Sequence, residues 1–342
     1  METKDEVLTP GQRIRPPGSD QIVSDLLKKL YGLKVIEVTE LNAYDDRNYH
    51  VICKDLHENP HTRKGHVIDA QNEMLIFLNQ RGIKCPLPVR NISGAYYSLE
   101  KWTVDGSTES YAVRLLVYRP GELLHRVPIT GELFRNVGKF TGKLDNILMG
   151  FSHPAYDDHK TLWMLISVPK LRQFTYAVEN TIERELAHQV ILAFERDVLQ
   201  VTSQLEHGLI HGDLNEQNIV MCLDGKSIAA VIDFGDCHRT CLIFELAIAL
   251  CYMILQAGDL TMGKYVIEGY QDVRKLTELE KKVLKIAVCA RLCQSLVMGA
   301  YSYLNDPQNE YLLITQKSGW AMLKNLWPIS QEEVLRNWGL MD

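Results

Sequence analysis

Two hydrophobic periods divide the chain. Over residues 33–41 and 49–54 apolar and polar positions alternate, the period of half-buried strands, and the polar run 42–48 between them reads as a connecting turn. Over 67–80 the apolar residues Val67, Ala70, Met74, Leu75, Phe77 and Leu78 recur at helical spacing, with Gly82 as the stop signal. Alternation returns in 96–102 and 111–118 around Asp105, Gly106 and Ser107, then ends at Arg119-Pro120-Gly121. This pattern predicts a first lobe over 21–119, strands with one helix, and a second lobe over 120–342.

The second lobe is helical in texture. Residues 129–146 and 180–204 look amphipathic, and 283–304 carries an apolar stripe through Ile286, Ala287, Ala290, Cys293, Val297, Ala300 and Leu304. The exception is a predicted hairpin, 218–223 and 227–232, joined by Asp224-Gly225-Lys226. The expected class is α+β with two lobes: a small antiparallel sheet with one helix, then a larger helical lobe holding a β-hairpin. Residues 1–20, polar with Pro16, Pro17 and Gly18, read as a flexible tail without the apolar core of a signal peptide.

Composition narrows the function. With 46% hydrophobic and 23% charged residues the chain is ordinary globular material. A net charge of −6 and a pI near 6.0 leave no concentrated basic face for a polyanion, so nucleic acid is excluded as the main partner. The longest apolar stretch, 242–256, contains Glu245 and falls short of the roughly 20 residues of a bilayer span, so a buried helix is expected and no membrane partner. Eight scattered cysteines without a CxxC pair fit a reducing, cytoplasmic compartment. Cys237/Cys241 and Cys289/Cys293 are spaced for one helix face, but read more simply as small buried hydrophobes than as metal ligands. No uncommitted apolar surface is apparent, and a monomer is expected.

The decisive motif brackets the hairpin. His211-Gly212-Asp213-Leu214-Asn215-Glu216-Gln217-Asn218 has the form HxDxxxxN, and Asp233-Phe234-Gly235-Asp236 follows. Phosphoryl transfer needs a carboxylate to orient and deprotonate the acceptor hydroxyl, and hard oxygen ligands for the Mg²⁺ that neutralises the triphosphate. Asp213 suits the first task, Asn218 and Asp233 the second. A loop lets Asp213 and Asn218 curl to one centre, and the hairpin returns Asp233 beside them. His211 is assigned to bracing the loop by hydrogen bonds. Asn215 and Asp236 are either turn-formers or substrate contacts. Gly225-Lys226-Ser227 is not a P-loop end, because the first glycine would fall on Val220.

HGDLNEQN, VIDFGD and the long helices that follow resemble the aminoglycoside phosphotransferase family, of protein-kinase-like fold, over most of the chain. A protein kinase is disfavoured, because no APE-type segment follows Asp233. Three further segments, YDDRNY at 44–49, VRLLVYRPG at 113–121 and RLCQSLVMGAYSY at 291–303, look closer still to the branch of that family that phosphorylates hydroxylysine. The resemblance implies GTP-dependent transfer to the 5-hydroxyl of 5-hydroxy-L-lysine in the cytoplasm, with Mg²⁺; nothing in the sequence separates GTP from ATP. It places Asp45, Asp46 and Asn48 in the turn that covers the phosphates and makes Val117, Tyr118 and Arg119 the hinge whose backbone meets the base. By residue type alone, Asp45-Asp46 is a solvated turn. Arg291, on an apolar helix, requires an anion: the substrate's carboxylate, or an internal partner such as Glu245.

One departure stands out. The family's third strand carries a lysine that contacts the phosphates, whereas here the polar stretch 55–65 runs on to the helix. A strand is therefore expected to be missing, Lys54 and Lys64 to be solvent-exposed, and the lysine's usual acidic partner to fall at Gln71 or near Asp69 and Glu73. The alternatives are a kinase of another amino alcohol or aminoglycoside-like substrate, and a kinase-fold binding protein impaired in nucleotide binding.

Overall fold

A computed structural model of the chain describes residues 18–41, 47–53, 57–63, 65–104, 107–305 and 315–341. The first described element is one the strand pattern did not announce: helix α1, Asp20–Tyr31, opened by the Ser19 hydroxyl accepting from the Ile22 N–H and closed at Gly32 in the left-handed region. Its buried face, Val23, Leu27 and Leu30, packs on the sheet that follows, where Val23 and Leu27 join Tyr49, Val51 and Leu115 in a small core.

That sheet contains β1 (Val35–Leu41), β2 (Asn48–Cys53), β3 (His57–Arg63), β4 (Pro88–Val89), β5 (Ser98–Val104) and β6 (Ser107–Val117), with helix α2 (Gly65–Gln80) between β3 and β4. The strands run in the order β1-β2-β3-β6-β4, β5 also pairing with β6. The expected missing strand is thus a correction: β3 pairs antiparallel with β2 at 57–58 and with β6 from Glu58↔Val117 to Arg63↔Ala112. Its sequence, HENPHTR, has no apolar alternation and contains Pro60, so side-chain pattern hides a strand whose neighbours demand its backbone. Pro60 lies beyond the β2 pairing, where the strand has only β6 beside it. No lysine occurs in it; Lys54 and Lys64 lie outside the described residues.

The chain then passes through β7 (Glu122–Leu123) into the large lobe: α3 (Gly131–Leu148), α4 (Thr181–Ala193), β8 (His207–Ile210), β9 (Ile219–Met221), β10 (Ile228–Val231), β11 (His238–Cys241), α5 (Ile243–Ala257), α6 (Gly263–Gln271), α7 (Glu278–Asn305), α8 (Gln316–Leu326) and α9 (Gln331–Asn337). The helix expected over 180–204 holds only to Ala193; a π turn, Phe194–Val198, and a 3₁₀ stretch, Leu199–Gln204, complete it. α5 is buried from Ile243 to Ile254, and α7 packs against it. By length and composition α7 is apolar enough to cross a membrane, but most of its apolar stretch is buried inside the fold, as in the core helix of a globular protein. Two small sheets frame the chemistry: β10-β9-β7, and β11 paired with β8 in the register His238↔Ile210 to Cys241↔His207.

Candidate active site

β8 delivers the chain to His211, and the β9–β10 hairpin delivers it to Asp233. The two arrivals are stitched together, because the Ile232 N–H donates to the Asn218 carbonyl at 2.9 Å. The His211 ring completes the stitch. Its Nδ1 accepts from the Asp213 N–H (3.3 Å), which leaves Nε2–H to donate to the Ile232 carbonyl (3.0 Å). The ring is fully buried, its edge against Phe234, and burial lowers its pKa against the pull of Asp213 and Asp233, so it stays neutral.

Beneath the loop lies a residue whose role the sequence did not reveal. Glu245, fully buried in the first turn of α5, accepts from the backbone N–H groups of His211 and Gly212. Burial pushes its carboxyl up to about 7 even though those donors act to lower it. The loop turns at Gly212, φ +82°, where an added Cβ would come 2.4 Å from the Asp236 carbonyl oxygen. Asp233 is the only non-glycine residue with positive φ among the described residues (φ 60°, ψ 71°). Backbone strain of this kind persists only where surroundings over-determine it, which sets this carboxylate apart from an ordinary turn aspartate.

The Asp213 carboxylate is held by three side chains. Asn215 Nδ2 (2.9 Å) and Asn218 Nδ2 (2.8 Å) donate to Oδ2, and Arg291 Nη2 donates to Oδ1 at 2.7 Å. Asn215 also accepts the N–H groups of Gln217 and Asn218 through Oδ1, so both ends of its amide build the loop. Asn218 donates a second time, to the Asp213 carbonyl, which fixes the orientation of its amide and leaves Oδ1 without a protein partner among the described residues.

Asp233 Oδ1 accepts from the Gly235 N–H, leaving Oδ2 open. No group of three His, Cys, Asp or Glu side chains suited to a metal occurs among the described residues. The Asn218 amide oxygen and the Asp233 carboxylate, carried by segments that the Ile232–Asn218 hydrogen bond ties together, are hard oxygen donors of the kind Mg²⁺ takes, since that ion needs few protein ligands and completes its shell with water and phosphate oxygens.

Arg291 corrects one expectation. Its ion pair is with Asp213, not Glu245: α5 sets Glu245 under the loop backbone, whereas α7 brings the guanidinium to the side-chain face. It is 1% exposed and also donates to Tyr252 Oη, the Trp163 carbonyl and Gln294 Oε1, with the Trp163 and Tyr252 rings about it. The Asp236 carboxylate acts on the same guanidinium.

Toward the small lobe, Asp45 and Asp46 lie outside the described residues. Asn48 opens β2 with a buried Oδ1 that has no hydrogen-bond partner among the described residues. His50, two residues on and therefore on the same face, stacks on Tyr118 at 4.3 Å between ring centroids. Val117 ends β6 with its N–H on the Leu87 carbonyl, and the Arg119 side chain is clamped by the Cys85 carbonyl and Asn79 Oδ1. On α2 the acids Asp69 and Glu73 are exposed, while Gln71 is buried with Nε2 3.5 Å from the Gly235 carbonyl. A neutral amide thus stands where a lysine's acidic partner was expected.

The sequence pattern of the phosphotransferase enzyme family matches residues 38–279. The chain belongs to that family. This phosphotransferase is 32% identical to a hydroxylysine kinase of Danio rerio over 95% of its own length and 96% of the relative's, and 33% identical to one of Xenopus laevis over 95% and 94%. Among solved structures it resembles a microcompartment-associated aminopropanol kinase (TM-score 0.71, 16% identity, covering 90% of this chain and 98% of that one). It also resembles the amicoumacin kinase hAmiN (TM-score 0.68, 16% identity, covering 93% and 97%). The fold is protein-kinase-like, and the phosphotransferase is a small-molecule kinase with an alcohol acceptor.

Proposed function

We propose that the protein transfers the γ-phosphoryl group of a nucleotide, GTP by its resemblance, to the 5-hydroxyl of 5-hydroxy-L-lysine. The observation that carries this reading is the similarity to hydroxylysine kinases along 95% of the chain; it is supported by the Asn218 amide bonding the Asp213 carboxylate and by the hydrogen bond that ties Asn218 to Ile232, the residue before Asp233. The acceptor hydroxyl donates to Asp213, whose carboxylate is already oriented by Asn215, Asn218 and Arg291. As the hydroxyl oxygen bonds to the γ-phosphorus, the bond to the β–γ bridging oxygen breaks, the nucleoside diphosphate departs and the hydroxyl proton passes to Asp213.

Asn218 and Asp233 would hold Mg²⁺, which neutralises phosphate charge when bound. The nucleotide lies between the lobes. Asn48, whose buried amide oxygen has no hydrogen-bond partner among the described residues, would contact it together with Asp45 and Asp46, and the backbone of 117–119 would meet the base. Asp236 contacts the acceptor. All eight cysteines are free, which agrees with a cytoplasmic protein, and we take the working form to be a monomer.

The test is a coupled assay of 5-hydroxylysine against a panel of amino alcohols, with GTP and with ATP, beside Asp213→Asn. Turnover of 5-hydroxylysine is expected, falling roughly a hundredfold or more in the variant, while the thermal shift given by Mg-nucleotide is retained. Undiminished activity in Asp213→Asn would place the base elsewhere. Failure to phosphorylate any amino alcohol removes the reading, and a chain that neither Mg-nucleotide stabilises is a kinase-fold binding protein.

A further inference from the structure

The large lobe has a groove of about 440 Å³ to which the kinase chemistry assigns no role. It is lined by α4 and the π turn that follows, by α7, and by the junction of α8 with α9, and no residue of the catalytic loop, the hairpin or the hinge belongs to it. Pockets that hold small molecules run from about 300 to 1,000 Å³.

Lys285 of α7 lines this groove while being only 7% exposed. Its ammonium donates to the carbonyls of Trp327, at 3.1 Å, and Ile329, just past the end of α8. An ammonium has three N–H donors, so one is left without a protein acceptor among the described residues. Carbonyl dipoles steady a buried ammonium but leave its net charge in place. Burial pushes the Lys285 pKa down and only Cys289 acts the other way, so no carboxylate compensates that charge. A buried charge ordinarily has a partner of opposite sign. The same helix shows the ordinary case at Arg291, which is matched by the Asp213 carboxylate.

The rim adds a second cation and apolar surface. Arg196, from the π turn, gives Nε and Nη2 to Asp197 beside it, so the groove carries two cations against one carboxylate. Single π turns recur in helices at functional sites. Leu192 is 58% exposed, and the half-buried Trp327 indole stands 5.9 Å from Lys285 Nζ between ring centroid and nitrogen. An uncompensated cation beside a flat indole and an exposed leucine complements an anion attached to a flat apolar body.

We infer that this groove is a second binding site, for a small organic anion: a carboxylate or phosphate group on Lys285 and Arg196, its flat apolar body against Trp327 and Leu192. The site is separate from the nucleotide and acceptor, and it is the same whichever alcohol the enzyme phosphorylates.

The probes are phenyl phosphate and benzoate, which share a flat body and differ in the anion. Inorganic phosphate and benzyl alcohol each lack one half. Titration calorimetry on the full chain, with Mg-nucleotide present and no acceptor, keeps the probes out of the catalytic cleft. Saturable binding of phenyl phosphate or benzoate is expected, the tighter of the two identifying the anion, with both half-probes weaker. Lys285→Met should weaken that binding roughly tenfold to a hundredfold, the range for a hydrogen bond to a charged group. Leu192→Glu, at an exposed position, sets a negative charge on the rim and should weaken it as well. A Lys285→Met chain that melts early is set aside, and Leu192→Glu then decides.

An affinity unchanged by the variants overturns the inference, as does the absence of saturable binding to the wild type. Benzyl alcohol bound as tightly as the anions would make the groove a merely apolar slot. Binding seen without Mg-nucleotide but lost in its presence would locate the probe in the catalytic cleft, which overturns the inference equally.

Discussion

Arg291 Nη2 stands 2.7 Å from Asp213 Oδ1, so the residue expected to deprotonate the acceptor is held by a guanidinium that is itself 1% exposed. The carboxylate is 19% exposed, and the pair therefore sits at the floor of the site with its acidic member toward solvent. We propose that Asp213 meets the substrate hydroxyl and that Arg291 acts through it.

Replacing Arg291 with Met should therefore lower kcat on the amino-alcohol substrate roughly tenfold to a hundredfold, because a base displaced by about an ångström loses that much. The nucleotide KM should not change. Breaking a buried ion pair costs about 3 to 5 kcal/mol, and the partial exposure of Asp213 sets the expectation at about 3 kcal/mol, read by denaturant unfolding. A raised KM for the acceptor with an unaltered kcat would mean that Arg291 binds substrate directly.

Gly212→Ala tests the loop turn. The position requires φ +82°, and the new methyl would meet the Asp236 carbonyl oxygen at 2.4 Å, a backbone atom that cannot swing aside. A stability loss of at least about 1 to 3 kcal/mol is expected, with activity reduced much further, since Asp213 directly follows the clashing residue and Asp236 supplies the atom it meets. Unfolding curves and initial rates on the same preparation separate the two effects.

Glu216 gives a pH signature. Burial raises its carboxyl from 4.5 to about 7, and its Oε2 has no hydrogen-bond partner among the described residues. A folded-state pKa above the unfolded value means that this group's contribution to stability is complete below pH 4.5 and is lost as pH rises through 7. Glu216→Gln, neutral throughout, should gain in melting temperature relative to wild type between pH 5 and pH 8. Parallel curves for the two proteins across that interval would show that the carboxyl is solvated.

The spacing of HxDxxxxN and DFGD made the centre of this site legible before any coordinates, because each residue type there answers a chemical need and a hairpin is the short way to bring them together. β3 was invisible for the opposite reason. A strand made of polar residues around Pro60 is specified by the open edges of β2 and β6, not by its own pattern. Arg291's need for an anion could be read from its apolar helix, but Asp213 as the partner follows only from how α7 crosses the catalytic loop. Gln71 carried no signal, since a buried neutral side chain looks in sequence like any other.

The length of α7 has a consequence for how such an enzyme chooses. This rod of 28 residues is wedged between α5 and α8, and it carries the cation that steadies the base. Selectivity built on a rigid strut comes from shape present before the acceptor arrives, not from a wall that moulds itself afterwards. New acceptors are then gained by exchanging side chains along the strut, while its path through the lobe stays the same.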